Sequence, residues 1–202
     1  MSSPAVPHRW PLILASRSPR RRELLAEAGY VFEVVPPLSE FEPEPAPGQN
    51  PAEYVVRLAE TKARDVGLQV GRDLVLACDT VAECDGHILG KPQTADDARQ
   101  MLELLSRREH RVLTGVCLWN APNGVPTTRV AVTTLRIDQL TPEQLTEYVE
   151  SRLWEGKAGG FGYQDRLGWV HIVEGSPSNV VGLPLETLAE MLREMQGPTT
   201  TN

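Results

Sequence analysis

Apolar and polar positions along this chain follow two periods, and the switches between them mark out the elements. "PLILAS" is a short apolar run that predicts a buried strand ending at Ser16. "SPRRRELLAEAG" then changes to helical spacing, with Ser18 as cap, Pro19 in the first turn, Leu24, Leu25 and Ala28 as the apolar stripe and Gly29 as the stop. "YVFEVVPP" predicts a second strand, and the proline- and acid-rich "LSEFEPEPAPGQ" a loop suited to a lid or hinge. "NPAEYVVRLAETKARDVG" carries a strong helix start at Asn50, Pro51 and Glu53, with Val55, Leu58, Ala59 and Val66 on an inward face. "DLVLAC" is uniformly apolar, which predicts a central strand, here ending at Asp79. "TADDARQMLELLS" is a helix capped by Thr94 with acids in its first turn. "HRVLTGVCLWN" and "TTRVAVTTLRI" alternate on either side of the turn signal "APNGV", a long hairpin. "TPEQLTEYVES" is a helix with Thr141 and Gln144 in capping-box positions, "WVHIVEG" a late strand and "PLETLAEMLREMQ" a closing helix. Strands and helices alternate around a central hairpin, which predicts an α/β fold with a mixed, twisted sheet and flanking helices.

Two segments escape this periodicity. "WEGKAGGFGYQDRLG" holds five glycines, and "GSPSNVVGLP" is equally irregular. Glycine at such density lets backbone approach a ligand closely or makes an irregular turn. The Walker and Rossmann glycine patterns are both absent, so neither standard phosphate cradle applies.

Composition narrows the classes. The chain has 202 residues, 41% of them hydrophobic and 23% charged, the balance of a globular protein able to bury one sizeable core. We expect a single domain of two lobes over residues 12–196, with a flexible segment at 1–11 and a flexible tail at 197–202. No apolar stretch reaches the roughly 18 residues needed to span a bilayer, and "MSSPAVPHRW" lacks the basic-then-apolar pattern of a secretory signal, so a cytoplasmic location away from membranes is expected. The three cysteines, Cys78, Cys84 and Cys117, lack metal-ligand spacing and suit buried free thiols. A net charge of −7 disfavours sequence-independent nucleic-acid binding, which needs a basic face. Arg17, Arg20, Arg21 and Arg22 still form a local basic cluster at a strand–turn–helix, where unpaired backbone N–H groups favour an anion; the same cluster equally suits a solvated helix face. Lys62 falls on the inward face of its helix, either snorkelling or pointing into a cleft. Asp79 and Glu40 as carboxylates, with Lys62, Lys91 and Lys157 as cations, would suit metal-assisted attack of water on a phosphoryl group if folding brings them together. Each taken singly also suits a solvated charge or a turn.

Taken in order, "LILASRSPRRRELL", "RLAETKA", "CDTVAECDGHILGKP", "GKAGGFGYQ" and "SNVVGLPL" resemble the Maf family of nucleoside triphosphate pyrophosphatases, over nearly the whole chain from Leu12 to Leu192. The resemblance implies two lobes around a deep cleft, a fold similar to inosine triphosphatase, frequent homodimers, and a divalent metal, magnesium or manganese. It implies cleavage of a nucleoside triphosphate between the α and β phosphates. It places Ser16, Arg20 and Arg21 in a phosphate-binding loop, Glu40 on an acidic loop, Asp79 as proton acceptor, and Lys62 and Lys91 at the lysines of the "KA" helix and of "GKP"; by their chemistry Lys62 and Lys91 suit the leaving pyrophosphate, and Glu40 with Asp79 the metal. Arg20, Thr80 and Gln164 match the branch preferring dTTP and UTP, whereas the branch acting on 7-methyl-GTP tends to have tryptophan at the first of these positions and glutamate at the last. The chain departs from the pattern at Cys78, at "EFEPE", at Trp154, within the glycine loop at Gly160, Phe161 and Tyr163, and at Asp165, where glycine is usual. The family takes its name from an association with septum formation, so a nucleotide-binding regulator of division with little turnover is the competing reading, and broad or 7-methyl-GTP specificity a further one.

Overall fold

The computed structural model describes residues 11–39 and 43–196; Glu40, residues 1–10 of the expected N-terminal segment and the 197–202 tail lie outside the described residues. Seven strands occur in chain order: β1 (Leu12–Leu14), β2 (Phe32–Val34), β3 (Leu74–Cys84), β4 (His87–Leu89), β5 (Glu109–Asn120), β6 (Thr127–Ile137) and β7 (Val170–Glu174). The helices are α1 (Pro19–Glu27), α2 (Pro51–Val70), α3 (Ala95–Leu105), α4 (Pro142–Glu150), α5 (Pro177–Val181) and α6 (Leu185–Gln196). The sheet runs β2-β1-β3-β5-β6-β7, with β4 also paired to β3. Strand β1 is parallel to β2 and β3, and the remaining pairs are antiparallel, so the sheet is mixed as the alternation of elements predicts.

The predicted caps form. Ser18 Oγ accepts from Arg21 N, Asn50 Oδ1 from Ala52 N, and Thr94 and Thr141 close capping boxes with Asp97 and Gln144. Two expectations change. Strand β3 does not end at Asp79 but runs on to Cys84, and Asp79 pairs with Gly115 in mid-strand. The apolar run breaks there, but "TVAEC" keeps strand-forming residues paired to β5, and the chain turns only at Asp85 and Gly86. "GSPSNVVGLP" is not wholly irregular either: Ser176 caps the short helix α5, Pro177 opens it, and Gly182, at a φ of 108°, ends it.

Side chains alternate across the sheet, and the two faces are covered differently. One face lies under α2, where Ala59, Ala63 and Val66 pack on Ile13, Val75, Ala77 and Cys117, and Val55 and Leu58 on Val81 and Leu113. The other face carries two separate apolar cores. At the β1 end, Leu25 of α1 and Leu188 and Leu192 of α6 pack on Leu12, Leu14, Leu76 and Val116. At the other end Leu102 and Leu105 of α3 and Leu145 and Tyr148 of α4 pack with Trp154, Phe161 and Trp169 on Ala82, Val112, Leu135 and Ile137. Between these cores, on the same face, the sheet presents Thr80, Thr114 and Thr133. The three cysteines are free and buried, and burial pushes the Cys78 and Cys117 thiols up to about 11 and about 12.

Candidate active site

The site originates in a gap along one edge of β3. Strand β1 pairs with β3 only through Leu76, and β4 joins the same strand only from Ala82 onward. The stretch between them carries Asp79 and Thr80, which alternation sends to opposite faces. Parallel strands that end beside such a break open a crevice at their carboxyl ends. Here the crevice is a cavity of about 990 Å³, at the upper end of the roughly 300–1,000 Å³ usual for small-molecule sites.

Ser16, Arg20, Arg21, Lys62, Asp79, Thr80, Lys91, Lys157 and Gln164 all line this cavity, so folding gathers every expected site residue that is described. Glu40 falls outside the described residues, but Glu44, further along the same acidic loop, lines the cavity. Among the described lining residues, six are cationic (Arg17, Arg20, Arg21, Lys62, Lys91 and Lys157) and four acidic (Glu44, Asp79, Asp97 and Glu155). A cationic cleft in a chain of net charge −7 focuses its field on a compact polyanion.

On the α2 face, Lys62 Nζ forms an ion pair with Asp79 Oδ1. Close helix approach makes this reach feasible: Gly115, opposite Asp79, has no Cβ, and one there would stand 2.4 Å from the Val55 carbonyl oxygen. The cleft reading of Lys62 therefore holds over a plain snorkel. Asp79 is only 4% exposed, yet lines the cavity. Among the described residues no group bonds its Oδ2, which leaves that oxygen for a cleft ligand.

On the opposite face, Arg21 is fixed by two acceptors. Its Nε donates to the Gly182 carbonyl at 2.7 Å and its Nη2 to Thr80 Oγ1 at 3.0 Å. Arg20 crosses the mouth of the cleft and donates from Nη2 to the Gly156 carbonyl at 2.6 Å, tying α1 to the glycine-rich segment. Burial, and then the neighbouring Arg21, lower the Arg20 pKa. Ser16 Oγ accepts from Ser18 N at 3.1 Å, shaping the turn before α1.

The glycine-rich segment closes the third side. Gly159 N donates to the Gly90 carbonyl at 2.9 Å, joining it to the turn that carries Lys91. Lys157 is ion-paired with Asp165, which also accepts from the Tyr148 hydroxyl at 3.2 Å. Burial lowers the Lys157 pKa, and Asp165 opposes that shift. Burial raises the Tyr148 pKa, and the Asp165 charge adds to the shift. Gly162 leaves room for these side-chain ends: a Cβ would meet Asp165 Oδ2 at 2.5 Å, Lys157 Nζ at 2.6 Å and Gln164 Nε2 at 2.7 Å. Sequence reasoning missed the Tyr148–Asp165–Lys157 arrangement, and the unusual aspartate after Gln164 was its one signal.

A cleft at the carboxyl ends of parallel strands, in a mixed sheet flanked by helices, defines the class. The fold is similar to that of a HAM1 protein from Coxiella burnetii, with a TM-score of 0.52 at 19% identity over 92% of this chain and 100% of that one. The particular lineage follows from sequence: the "Maf-like protein" profile matches residues 11–195, and the chain belongs to the Maf family. Curated relatives include a dTTP/UTP pyrophosphatase of Rhodopirellula baltica, 50% identical over 92% of this chain and 82% of its own length. Another, a dTTP/UTP pyrophosphatase of Anaeromyxobacter dehalogenans, is 43% identical over 93% of this chain and 95% of its own.

Proposed function

We propose that this chain hydrolyses dTTP and UTP between the α and β phosphates, giving nucleoside monophosphate and pyrophosphate. The observation that carries the reading is the Lys62–Asp79 pair at the uncovered edge of β3, set in a cationic cleft. The names of the relatives and the gathered residues support it. In this mechanism Lys62 orients the Asp79 carboxylate through Oδ1, and Oδ2 accepts the proton of the attacking water. The oxygen–phosphorus bond bridging the α and β phosphates breaks, and Lys62 and Lys91 stabilise the charge on the departing pyrophosphate. Arg20, Arg21 and the turn at Ser16 hold the phosphates, while Gln164 and Thr80 meet the base. A glutamine amide can donate to O4 of uracil or thymine, which leaves N3–H for a separate acceptor.

The carboxylates of the cleft fit a hard divalent cation, since magnesium binds through one or two carboxylates together with phosphate oxygens. Asp79, with Glu40 and Glu44 of the acidic loop, would hold it; when bound, magnesium or manganese neutralises phosphate charge and lowers the pKa of bound water. This reading includes a homodimer, for which light scattering should give twice the chain mass. It also includes a cytoplasmic location; no helix among the described residues is long and apolar enough to cross a membrane.

The test is a panel of nucleoside triphosphates with magnesium or manganese, measuring pyrophosphate and orthophosphate separately. Monophosphate and pyrophosphate from dTTP and UTP, with less turnover of 7-methyl-GTP and loss on chelation, are expected. Orthophosphate with a diphosphate overturns the cleavage position, and tight binding without turnover returns the chain to a regulatory role. Gln164→Ala should cost about 1–3 kcal/mol in kcat/KM for UTP; an equal loss on a base analogue that cannot pair would make Gln164 a loop-shaping residue.

A further inference from the structure

The polar seam between the two apolar cores has a direction. Thr114 and Thr133 are fully buried and Asn179 is 1% exposed, and none of the three lines the cleft. Thr114 Oγ1 lies 3.2 Å from the Asn179 carbonyl, which can only accept, so the single Thr114 proton points there. Thr80 Oγ1 lies 3.0 Å from Thr114 Oγ1, and with the Thr114 proton committed the bond between them takes its proton from Thr80. Arg21 can only donate, and it gives its Nη2–H to Thr80 Oγ1. The proton order therefore runs Arg21 to Thr80 to Thr114 to the Asn179 carbonyl.

Asn179 anchors the far end. Its Nδ2 donates to the Val112 carbonyl at 3.1 Å and to Thr133 Oγ1 at 2.9 Å. Thr133 in turn donates to the Ser176 carbonyl at 3.2 Å. Both groups facing Nδ2 are thus acceptors, which fixes the amide orientation, while Oδ1 is buried without a partner among the described residues. The clamp holds the Asn179 carbonyl against Thr114. Bonds in such a chain polarise one another, so each proton is held more firmly than in an isolated pair.

For the cleft, the consequence is that Thr80, which lines it, has its proton turned away and presents a lone pair. We propose that Thr114, held by Asn179, determines base choice by keeping Thr80 a hydrogen-bond acceptor, so that the site favours a pyrimidine whose N3 donates, uracil or thymine, over cytosine, whose N3 accepts. This rests on the reading that the base of a nucleoside triphosphate reaches Thr80.

The test compares kcat/KM for UTP and CTP within single preparations of wild type, Thr114→Val, Thr114→Ser and Thr80→Val. A ratio of two substrates on one sample is independent of the folded fraction. Valine keeps the shape of Thr114 but cannot accept the Thr80 proton, which then turns to the cleft. The UTP:CTP ratio should fall about 10-fold or more, with CTP turnover rising, and serine should restore it to within about 3-fold of wild type. An unchanged ratio in Thr114→Val, or an equal fall on both substrates, overturns the proposal. If Thr114→Val does not fold, Thr80→Val decides: loss of the UTP preference supports the proposal and its persistence overturns it. Wild type that turns over neither UTP nor dTTP would instead refute the functional reading itself, whatever the variants do.

Discussion

Two lysine–carboxylate pairs stand at the cleft, and they are put to different uses. Lys62 and Asp79 come from a long helix and the middle of a central strand, and both line the cavity. Lys157 and Asp165 come from one irregular segment; Lys157 lines the cavity, but Asp165 does not and is also bonded by Tyr148. In the first pair the carboxylate with an unbonded oxygen lines the cavity, whereas in the second both bonds fall on Oδ2 of a carboxylate that does not line it. The charges are the same, yet only the first arrangement suits proton transfer, while the second suits holding the base-facing loop in shape. What separates them is whether the acid itself lines the cleft.

The strongest way to break this contrast is Asp79→Asn, which keeps shape and removes the base. Turnover should fall roughly 100- to 10,000-fold, the usual scale for a general base, with nucleotide binding largely kept. Steady-state kinetics beside calorimetric binding would show it, and a loss of only a few-fold would make the first pair structural too.

Asp165→Ala should act on stability more than on chemistry. It leaves the Lys157 ammonium, with a side chain 9% exposed, without its carboxylate, a change that typically costs about 3–5 kcal/mol. Urea unfolding measures it, and adding Lys157→Met should recover most of the loss. If the double variant is stable but inactive, Lys157 serves the phosphates after all.

Gly162→Ala should be milder. The atoms its methyl group would meet are the ends of flexible side chains, so the protein should fold while Gln164 and Lys157 shift. The expected signature is a several-fold rise in KM for UTP with kcat nearly unchanged.

The smallest effect concerns His110, which packs edge-on against Phe161 of the same segment at 5.3 Å. Burial depresses its pKa to about 4, outweighing the Arg108 carbonyl and Glu83, which favour the cation. The unfolded chain thus binds a proton below about pH 6.5 that the folded one refuses until about pH 4. Its stabilising contribution is complete above pH 6.5 and is lost as pH falls through that window, by at most about 1.4 kcal/mol per pH unit. In His110→Phe the melting temperature should decline less over that window, and an identical decline would show that His110 does not titrate there.

How much of this was legible in the sequence depended on the range of the signal. Caps at Ser18, Asn50, Thr94 and Thr141 are local, and all four form. The second half of β3 was missed because Asp79 interrupts an apolar run, although β-branched residues resume beside it. The helix α5 was missed because its five residues are too few to show a period, leaving only the Ser176–Pro177 start. The nine described site residues were expected and do meet in one cleft, but the partners that orient them were not foreseen. Thr114 and Thr133 read as ordinary strand residues; only their inward register, known after folding, makes them part of a network. Asp165 is unusual beside Gln164, but its partner Tyr148 lies 17 positions away on another helix.

The gap in the edge of β3 also bears on how such a molecule can change over generations. One sheet spans both ends, yet the α1–α6 core under the phosphate-facing turn and the α3–α4 core under the glycine-rich segment share no side-chain packing on that face, because the hydroxyl seam lies between them. Substitutions confined to one core should therefore be nearly additive with those in the other. A lineage could remodel the segment around Gln164 for a new base, drifting Trp154, Phe161 and Trp169 as it went, while the turn that grips phosphate kept its shape. Division of labour along a single sheet lets the packing under the glycine-rich segment drift separately from the packing under the phosphate-facing turn.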